Sequence, residues 1–399
     1  MIAHASESAT DRGLPLFPAL VSMTGLQALV ALALFAPGVL APKLALDVVD
    51  VGLFTTAVFA TGMATSFAGG RLAARYGPCA IAAACAVATA AAMSIASAGT
   101  TFMLVIAGLV LGLAFGPETP ASSTLLSKLV TDATRPLVFS IRQTGNQIGG
   151  MVGSLCLPLI ATIAPIAGFW LIAGIAVAAA TWFANLSRTY DPAAGAQNVS
   201  ASSIASSLAL VTQHSALRRL ALASIPFSAM QLALNAFFVT FAVGVLTLDH
   251  VAAGILLAVA QAGGLIGRVF WGLIAARFMS SRRIVAGLGI GMAITAGTLA
   301  CAAPSWPMPI LLVLATAFGL TASGWNGVFL AEVARLAPTG RVAEATGAVL
   351  TASYAGLLVG PTLIAAIAKY GTLSASYAVL AAAALVAGLS LLKGSHDHA

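Results

Sequence analysis

Twelve predominantly apolar runs, each about 20 residues or longer, constrain this chain more than any other feature. A helix of that length crosses the roughly 30 Å hydrocarbon core of a bilayer. No water reaches that core to satisfy backbone N–H and C=O groups, so a spanning segment closes its own hydrogen bonds as a helix or joins a barrel. The runs are continuous rather than alternating, which selects helix. They lie at Leu14–Ala41, Val51–Ala73, Cys79–Ala98, Thr101–Leu126, Val138–Ile163 and Pro165–Ser187, then at Leu217–Leu246, Val251–Ala275, Arg283–Ala303, Met308–Ala334, Ala343–Ala368 and Leu373–Leu392. A more polar interval, with the serine-rich piece Ser200–Ser207, divides six from six. The expected fold is an all-α membrane protein of 12 transmembrane helices in two six-helix bundles, residues 1–187 and 217–399, joined by a linker over 188–216.

Composition agrees. Only 7% of the residues are charged and the mean hydropathy is +1.02, whereas a soluble domain carries about 25% charged residues. Most of the surface therefore has to face lipid. The net charge of +7 is spread over short gaps rather than gathered in a patch, so no nucleic-acid partner is expected. The four cysteines, Cys79, Cys85, Cys156 and Cys301, sit inside apolar runs without a CxxC pair, and read as small buried hydrophobes. Before Leu14 the segment carries Glu7 and Asp11 beside Arg12, a poor start for a cleaved leader.

Orientation follows from Lys and Arg. Arg12, Arg71, Arg75, Lys128, Arg135, Arg188, Arg218, Arg219, Arg277, Arg282, Arg283, Arg335, Arg341 and Lys393 fall on one side; only Lys43 and Lys369 fall on the other. The basic-rich side is expected to be cytoplasmic, with both termini on it and the chain in a bacterial-type inner membrane.

The two halves repeat. Gly70-Arg71-Leu72-Ala73-Ala74-Arg75 returns as Gly272-Leu273-Ile274-Ala275-Ala276-Arg277. Gly149 and Gly153 correspond to Gly356 and Gly360, both 207 residues on, and Lys128 corresponds to Arg335 at the same spacing. Small residues let helix backbones approach closely in lipid, so these glycines are expected to form faces on which two halves pack and rock about a site near the midplane.

Gly70-Arg71-Leu72-Ala73-Ala74-Arg75-Tyr76-Gly77 resembles the signature that the major facilitator superfamily carries after its second helix. The glycine-rich Gln143-Thr144-Gly145-Asn146-Gln147-Ile148-Gly149-Gly150 and Gly324-Trp325-Asn326-Gly327 are also similar to that superfamily, over the whole chain. The acidic position of the signature is Ala74 here and Ala276 in the second copy, so the family's charge relay is not carried over. The resemblance implies a secondary transporter with gating and packing roles for Gly70, Arg71, Arg75, Gly77, Gly149, Gly153, Gly272, Arg277, Glu332, Arg335, Gly356 and Gly360.

Ionisable residues inside a span are costly and so are candidate functional groups. Glu118, Arg142 and Arg268 lie deep, and Glu332 lies nearer an end. Glu118 stands in Gly116-Pro117-Glu118-Thr119-Pro120, about 15 Å from the basic-rich end. Two prolines each remove a backbone donor, so the fourth helix is expected to break there. Glu118 is either a proton carrier or the structural partner of Arg142. Arg268, about 13 Å deep, needs an anionic partner: a substrate carboxylate, or Glu332 or Glu118. An arginine there resembles carboxylate porters of the monocarboxylate and oxalate–formate type. Gln143 and Asn146, and Gln231 and Asn235, are spaced to share helix faces. With Arg142, Trp325, Asn326 and Tyr354 they form the candidate lining for a small polar ligand.

The five histidines lie in tails or gaps, and no nucleotide-binding motif, catalytic triad or metal cluster stands out, so neither an enzyme nor a cofactor is expected. The expected function is that of a monomeric secondary transporter moving a small organic anion, a carboxylate in symport with protons, by alternating access. Its alternatives are a proton-driven exporter of drugs or hydrophobic metabolites, and a non-transporting membrane sensor.

Overall fold

The computed structural model describes residues 15–130, 135–191, 211–338 and 342–392. It holds 12 helices long and apolar enough to cross a membrane. They are α1 (Leu16–Leu44), α2 (Val48–Tyr76), α3 (Pro78–Ala96), α4 (Thr101–Leu129), α5 (Arg135–Gln143 and Gly145–Ile163), α6 (Ala167–Tyr190), α7 (Ser215–Gly244), α8 (His250–Arg277), α9 (Ser281–Ala300), α10 (Met308–Ala322 and Asn326–Leu336), α11 (Val342–Tyr370) and α12 (Leu373–Leu392). The order six, interval, six stands as the sequence predicts. Much of the interval, including Ser200–Ser207, lies outside the described residues, as do Arg12, Arg341 and Lys393.

Contacts group the described residues into two units that do not follow the chain halves. One holds the chain up to Leu34, Ala60–Gly149 and α6 from Phe169 on; the other holds Phe35–Phe59, Gly150–Gly168 and everything from residue 211.

In the first unit, a Cβ on Gly149 would stand 2.1 Å from the Ala28 carbonyl oxygen. In the second, a Cβ on Gly356 would stand 2.1 Å from the Ile225 carbonyl oxygen, and one on Gly360 would stand 3.0 Å from Ala229 Cβ. The internal repeat is thus a repeat of contacts, α5 on α1 and α11 on α7. Each of these glycines meets a helix of its own chain half, which differs from the expected rocking face: backbone is packed on backbone, with no side chain between. Gly153 is also buried.

The fourth span does not break at its prolines. α4 runs unbroken from Thr101 to Leu129 through Pro117 and Pro120. Proline keeps a helical φ while losing its own N–H and crowding the carbonyl four residues back, but opening further backbone toward lipid would cost several kcal/mol per group. Small residues of α2 make room instead. A Cβ on Gly69 would come within 2.9 Å of Pro117 and 3.0 Å of Pro120, and one on Gly116 within 2.4 Å of the Gly62 carbonyl. The break falls in α10, at Ser323 to Trp325, the positions that match Gly116 to Glu118 in the repeat. Gly324 occupies the turn, where a Cβ would lie 2.3 Å from the Leu320 carbonyl.

α7 contains a π-turn at Ala233–Phe237. The wider turn leaves carbonyls outside the i→i−4 ladder, and the Tyr377 hydroxyl of α12 donates to one of them, Ala233 O, at 3.0 Å.

Candidate functional site

In the first unit, Glu118 and Arg142 are 4% and 1% exposed, deep enough to demand partners. Arg142 Nη2 donates to Glu118 Oε1 in a short ion pair, and also to Thr119 Oγ1 at 3.2 Å and Ser122 Oγ at 3.4 Å. Thr119 donates to Glu118 Oε2 at 3.0 Å, and Ser122 donates to Oε1 at 3.4 Å. Both carboxylate oxygens are thereby occupied, while Arg142 Nε has no partner among the described residues.

Beside this pair, α5 is irregular for one residue at Thr144. There a Cβ on Gly145 would lie 2.5 Å from the Thr24 carbonyl of α1. The interruption upsets the spacing expected of Gln143 and Asn146. Gln143 is exposed and accepts from Gln27 Nε2 at 3.2 Å, and Asn146 is half-buried. Gln147 is buried and its Oε1 has no partner among the described residues.

In the second unit, α8 and α10 touch through Gly263, Gly264 and Gly267. A Cβ on Gly267 would stand 2.7 Å from the Leu320 carbonyl. One turn along, Arg268 Nε donates to Ser323 O at 3.2 Å and Trp271 Nε1 donates to Leu320 O at 2.9 Å. Both carbonyls belong to the broken end of α10, the negative end of a helix dipole. The expected acidic partners are engaged elsewhere. Glu332 receives Arg335 Nε at 2.8 Å and Nη2 at 2.6 Å, one turn along its own helix, and Glu118 holds Arg142.

Gln231 and Asn235 do not share a face. Asn235 lies inside the π-turn, and Gln231 accepts from Asn326 Nδ2 at 3.2 Å whereas Asn235 accepts from Gln261 Nε2 at 2.8 Å. Trp325 is packed edge-on against Phe227 and Phe329, and its indole N–H has no partner among the described residues. Tyr354 is half-buried.

Further close contacts lie within the second unit. A Cβ on Gly38 would lie 1.9 Å from the Ala236 carbonyl in the π-turn, one on Gly254 2.2 Å from the Ser154 carbonyl, and one on Gly150 2.7 Å from the Gln261 amide. Thr56 and Thr362 share a hydrogen bond of 2.8 Å.

The signature glycine Gly77 has φ of 96°. Its missing Cβ is replaced by the Asp191 carboxylate, which would stand 2.3 Å away and accepts from the Cys79 and Ala80 N–H groups at 3.2 and 2.9 Å. Arg75 is exposed and lies over the Tyr76 ring. Gly70 continues α2, and the Arg71 side chain lies outside the described residues. The second copy differs: nothing stands near a Cβ on Gly272, so it is not a packing glycine, and Arg277 is exposed in the last turn of α8.

Gln27, Gln147, Gln261 and Asp191 were not among the predicted site residues. Gln27 and Gln261 are lone amides in apolar runs, a signal that attention to ionisable groups alone passes over. Asp191 lies in a polar stretch where nothing marks it.

Comparison with known proteins completes the description. The sequence description of the Major Facilitator Superfamily matches residues 19–327. Among curated proteins none matches the sequence. A mutant of the nucleoside transporter NupG is similar in structure, with a TM-score of 0.80 at 15% identity over 95% of this chain and 99% of that one. A POT family transporter in complex with 5-aminolevulinic acid gives 0.72 at 13% identity over 98% and 97%. A mutant peptide transporter POT in complex with sulfate gives 0.73 at 17% over 98% and 95%. At these identities the likeness establishes the fold.

Proposed function

Because this chain belongs to the major facilitator superfamily, and is thus a multi-pass membrane transporter rather than an enzyme, we propose that it moves a small organic anion, a carboxylate, by alternating access with proton coupling. The observation that carries the reading is Arg268, held through Nε by the Ser323 carbonyl at the break of α10. Fixing Nε orients the planar fork, and a carboxylate can compete for the two terminal nitrogens through parallel hydrogen bonds. Lining roles are assigned to Gln231, Asn326, Trp325 and Tyr354, and to Gln143 and Asn146.

Glu118 is the proposed proton site. Protonation would remove the charge that holds Arg142, so proton uptake and the arrangement of α4 and α5 would be linked. The contacts at Gly38, Gly254 and Thr56 serve as the proposed gate at the basic-poor end. The basic asymmetry supports both termini in the cytoplasm.

A second reading is favoured by the amide pairs Gln27–Gln143 and Gln231–Asn326. These suit a neutral, hydrogen-bonding solute such as a nucleoside, the substrate class named for one structural neighbour.

The test is uptake into liposomes under an imposed proton gradient, with small carboxylates and nucleosides offered to wild type and Arg268→Lys. The expected result is carboxylate accumulation, with KM raised about tenfold in the variant as the fork is lost. Nucleoside uptake indifferent to Arg268 would replace the anion reading with the second. Efflux of hydrophobic dyes without uptake of either would support an exporter.

A further inference from the structure

In the second unit, α7 and α12 pass one another near their basic-rich ends. They leave a groove of about 530 Å³, walled by Leu222 and Pro226 on one side and by Ala383, Val386 and Ser390 on the other. Small side chains on α12 create the space, while its opposite face is held tightly by α9, where a Cβ on Gly388 would lie 2.8 Å from the Ala286 carbonyl. The groove offers nothing to a polar solute. Its one hydroxyl, Ser390, donates to the Ala387 carbonyl of its own helix at 2.7 Å. Leu222 and Val386 are 60% and 68% exposed, as apolar side chains facing hydrocarbon are.

The mouth of the groove has the opposite character. Arg218 and Arg219 precede Leu222 and Ala223 by one turn on the same face of α7. Arg282 of α9 reaches α12 just past Ser390 and donates from Nε to Leu391 O at 2.7 Å. Ser390 lies in the last turn of α12, and Pro226 is about 16 Å from the start of α7 at the helical rise. The groove therefore runs about the depth of one leaflet, half of a roughly 30 Å core.

We propose that this groove is a binding site for an anionic phospholipid, with an acyl chain between α7 and α12 and the phosphate at Arg218, Arg219 and Arg282. An occupant has to be apolar along its length and negatively charged at one end, which a phospholipid of the basic-rich leaflet is and a soluble metabolite is not. Juxtamembrane basic residues attract anionic lipid additively.

The experiment is native mass spectrometry of the full chain in detergent, with phosphatidylglycerol or phosphatidylcholine added at equal concentration. Wild type should retain phosphatidylglycerol in preference. The exposed-charge variant Arg218→Gln/Arg219→Gln should lose that preference by on the order of 20-fold, and Ala383→Trp, which fills the groove, should lose retention of both lipids. Lys369→Gln, a basic residue at the opposite, basic-poor end of α11, should behave as wild type. Equal retention of the two lipids by wild type, or undiminished phosphatidylglycerol retention in the double Gln variant, would overturn the proposal. If Ala383→Trp does not fold, the double variant decides alone.

Discussion

Arg268 of α8 donates from Nε to the carbonyl oxygen of Ser323 across 3.2 Å, at the residue where the first piece of α10 ends. A guanidinium deep in a span thus complements the negative end of a helix. The same contact stabilises the break, because the last carbonyls of a helix lack intrahelical donors. Trp271 serves the neighbouring carbonyl of Leu320 in the same way.

Arg268→Ala removes the donor to the Ser323 carbonyl at the break of α10. The expected cost is about 1–3 kcal/mol, read as a lower unfolding temperature in detergent. Arg268→Lys should recover part of it, since an ammonium still complements the helix end. An unchanged melting temperature in the alanine variant would show that the bond does not hold the break.

Glu118→Gln and Arg142→Gln each leave one buried charge unmatched, and each should cost about 3–5 kcal/mol. The double variant leaves none and should be more stable than either single. A double-mutant cycle by chemical unfolding measures the coupling; additive losses would rule out the pair as a structural unit. In liposomes the same Glu118→Gln protein should keep substrate exchange but lose proton-driven accumulation.

The number and order of the helices were legible because lipid demands apolar length, and length is visible in the chain. The α5–α1 and α11–α7 contacts were half legible: Gly149 and Gly356 announced themselves by spacing, but the helix each meets did not. The breaks were not legible. Pro117 and Pro120 carried the stronger local signal, yet α4 stays whole because Gly62 and Gly69 of α2 accept it, while the milder Ser323-Gly324 yields because Arg268 and Trp271 take over its carbonyls. The split between Gln231 and Asn235 was equally hidden, since a π-turn leaves no mark in periodicity.

Gly149→Ala and Gly356→Ala should be similarly damaging, because both added methyl groups meet a carbonyl oxygen at 2.1 Å. Overpacking of this kind costs about 1–3 kcal/mol or more. Gly347→Ala, in the same helix as Gly356 but with open space around it, should be neutral or stabilising by up to about 1 kcal/mol. Thermal unfolding of the three variants checks this, and equal behaviour of Gly347→Ala and Gly356→Ala would contradict the packing.

Asp191 lies just beyond α6, where burial raises its pKa above the ordinary 3.8 even though the Ala80 and Cys79 N–H groups and Lys128 pull it down. The folded protein then keeps a proton that the unfolded chain releases, so the Asp191 contribution to stability falls as pH climbs from about 4 through the raised pKa, then levels off. Asp191→Asn should flatten that slope. Asp191→Ala should cost about 0.5–2 kcal/mol at every pH by uncapping α3. Melting temperatures across the acid range distinguish the two, and a slope retained in Asp191→Asn would assign it to another group.

The Thr56–Thr362 hydrogen bond of 2.8 Å offers a lock. In a cysteine-free background, Thr56→Cys/Thr362→Cys should cross-link on oxidation, stop transport, and recover on reduction. Full transport in the cross-linked protein would remove this contact from the gate.

The two glycine contacts have a mechanical consequence. Where a carbonyl oxygen rests against an α-carbon, there is no rotamer to flip and no side chain to slide past its neighbour, so the contact has one position and no intermediate ones. α5 with this part of α1, and α11 with this part of α7, behave as welded struts. Bending has to be taken up where the backbone is already irregular, and the described residues offer three such joints inside spans: Thr144, the π-turn of α7 and the gap in α10.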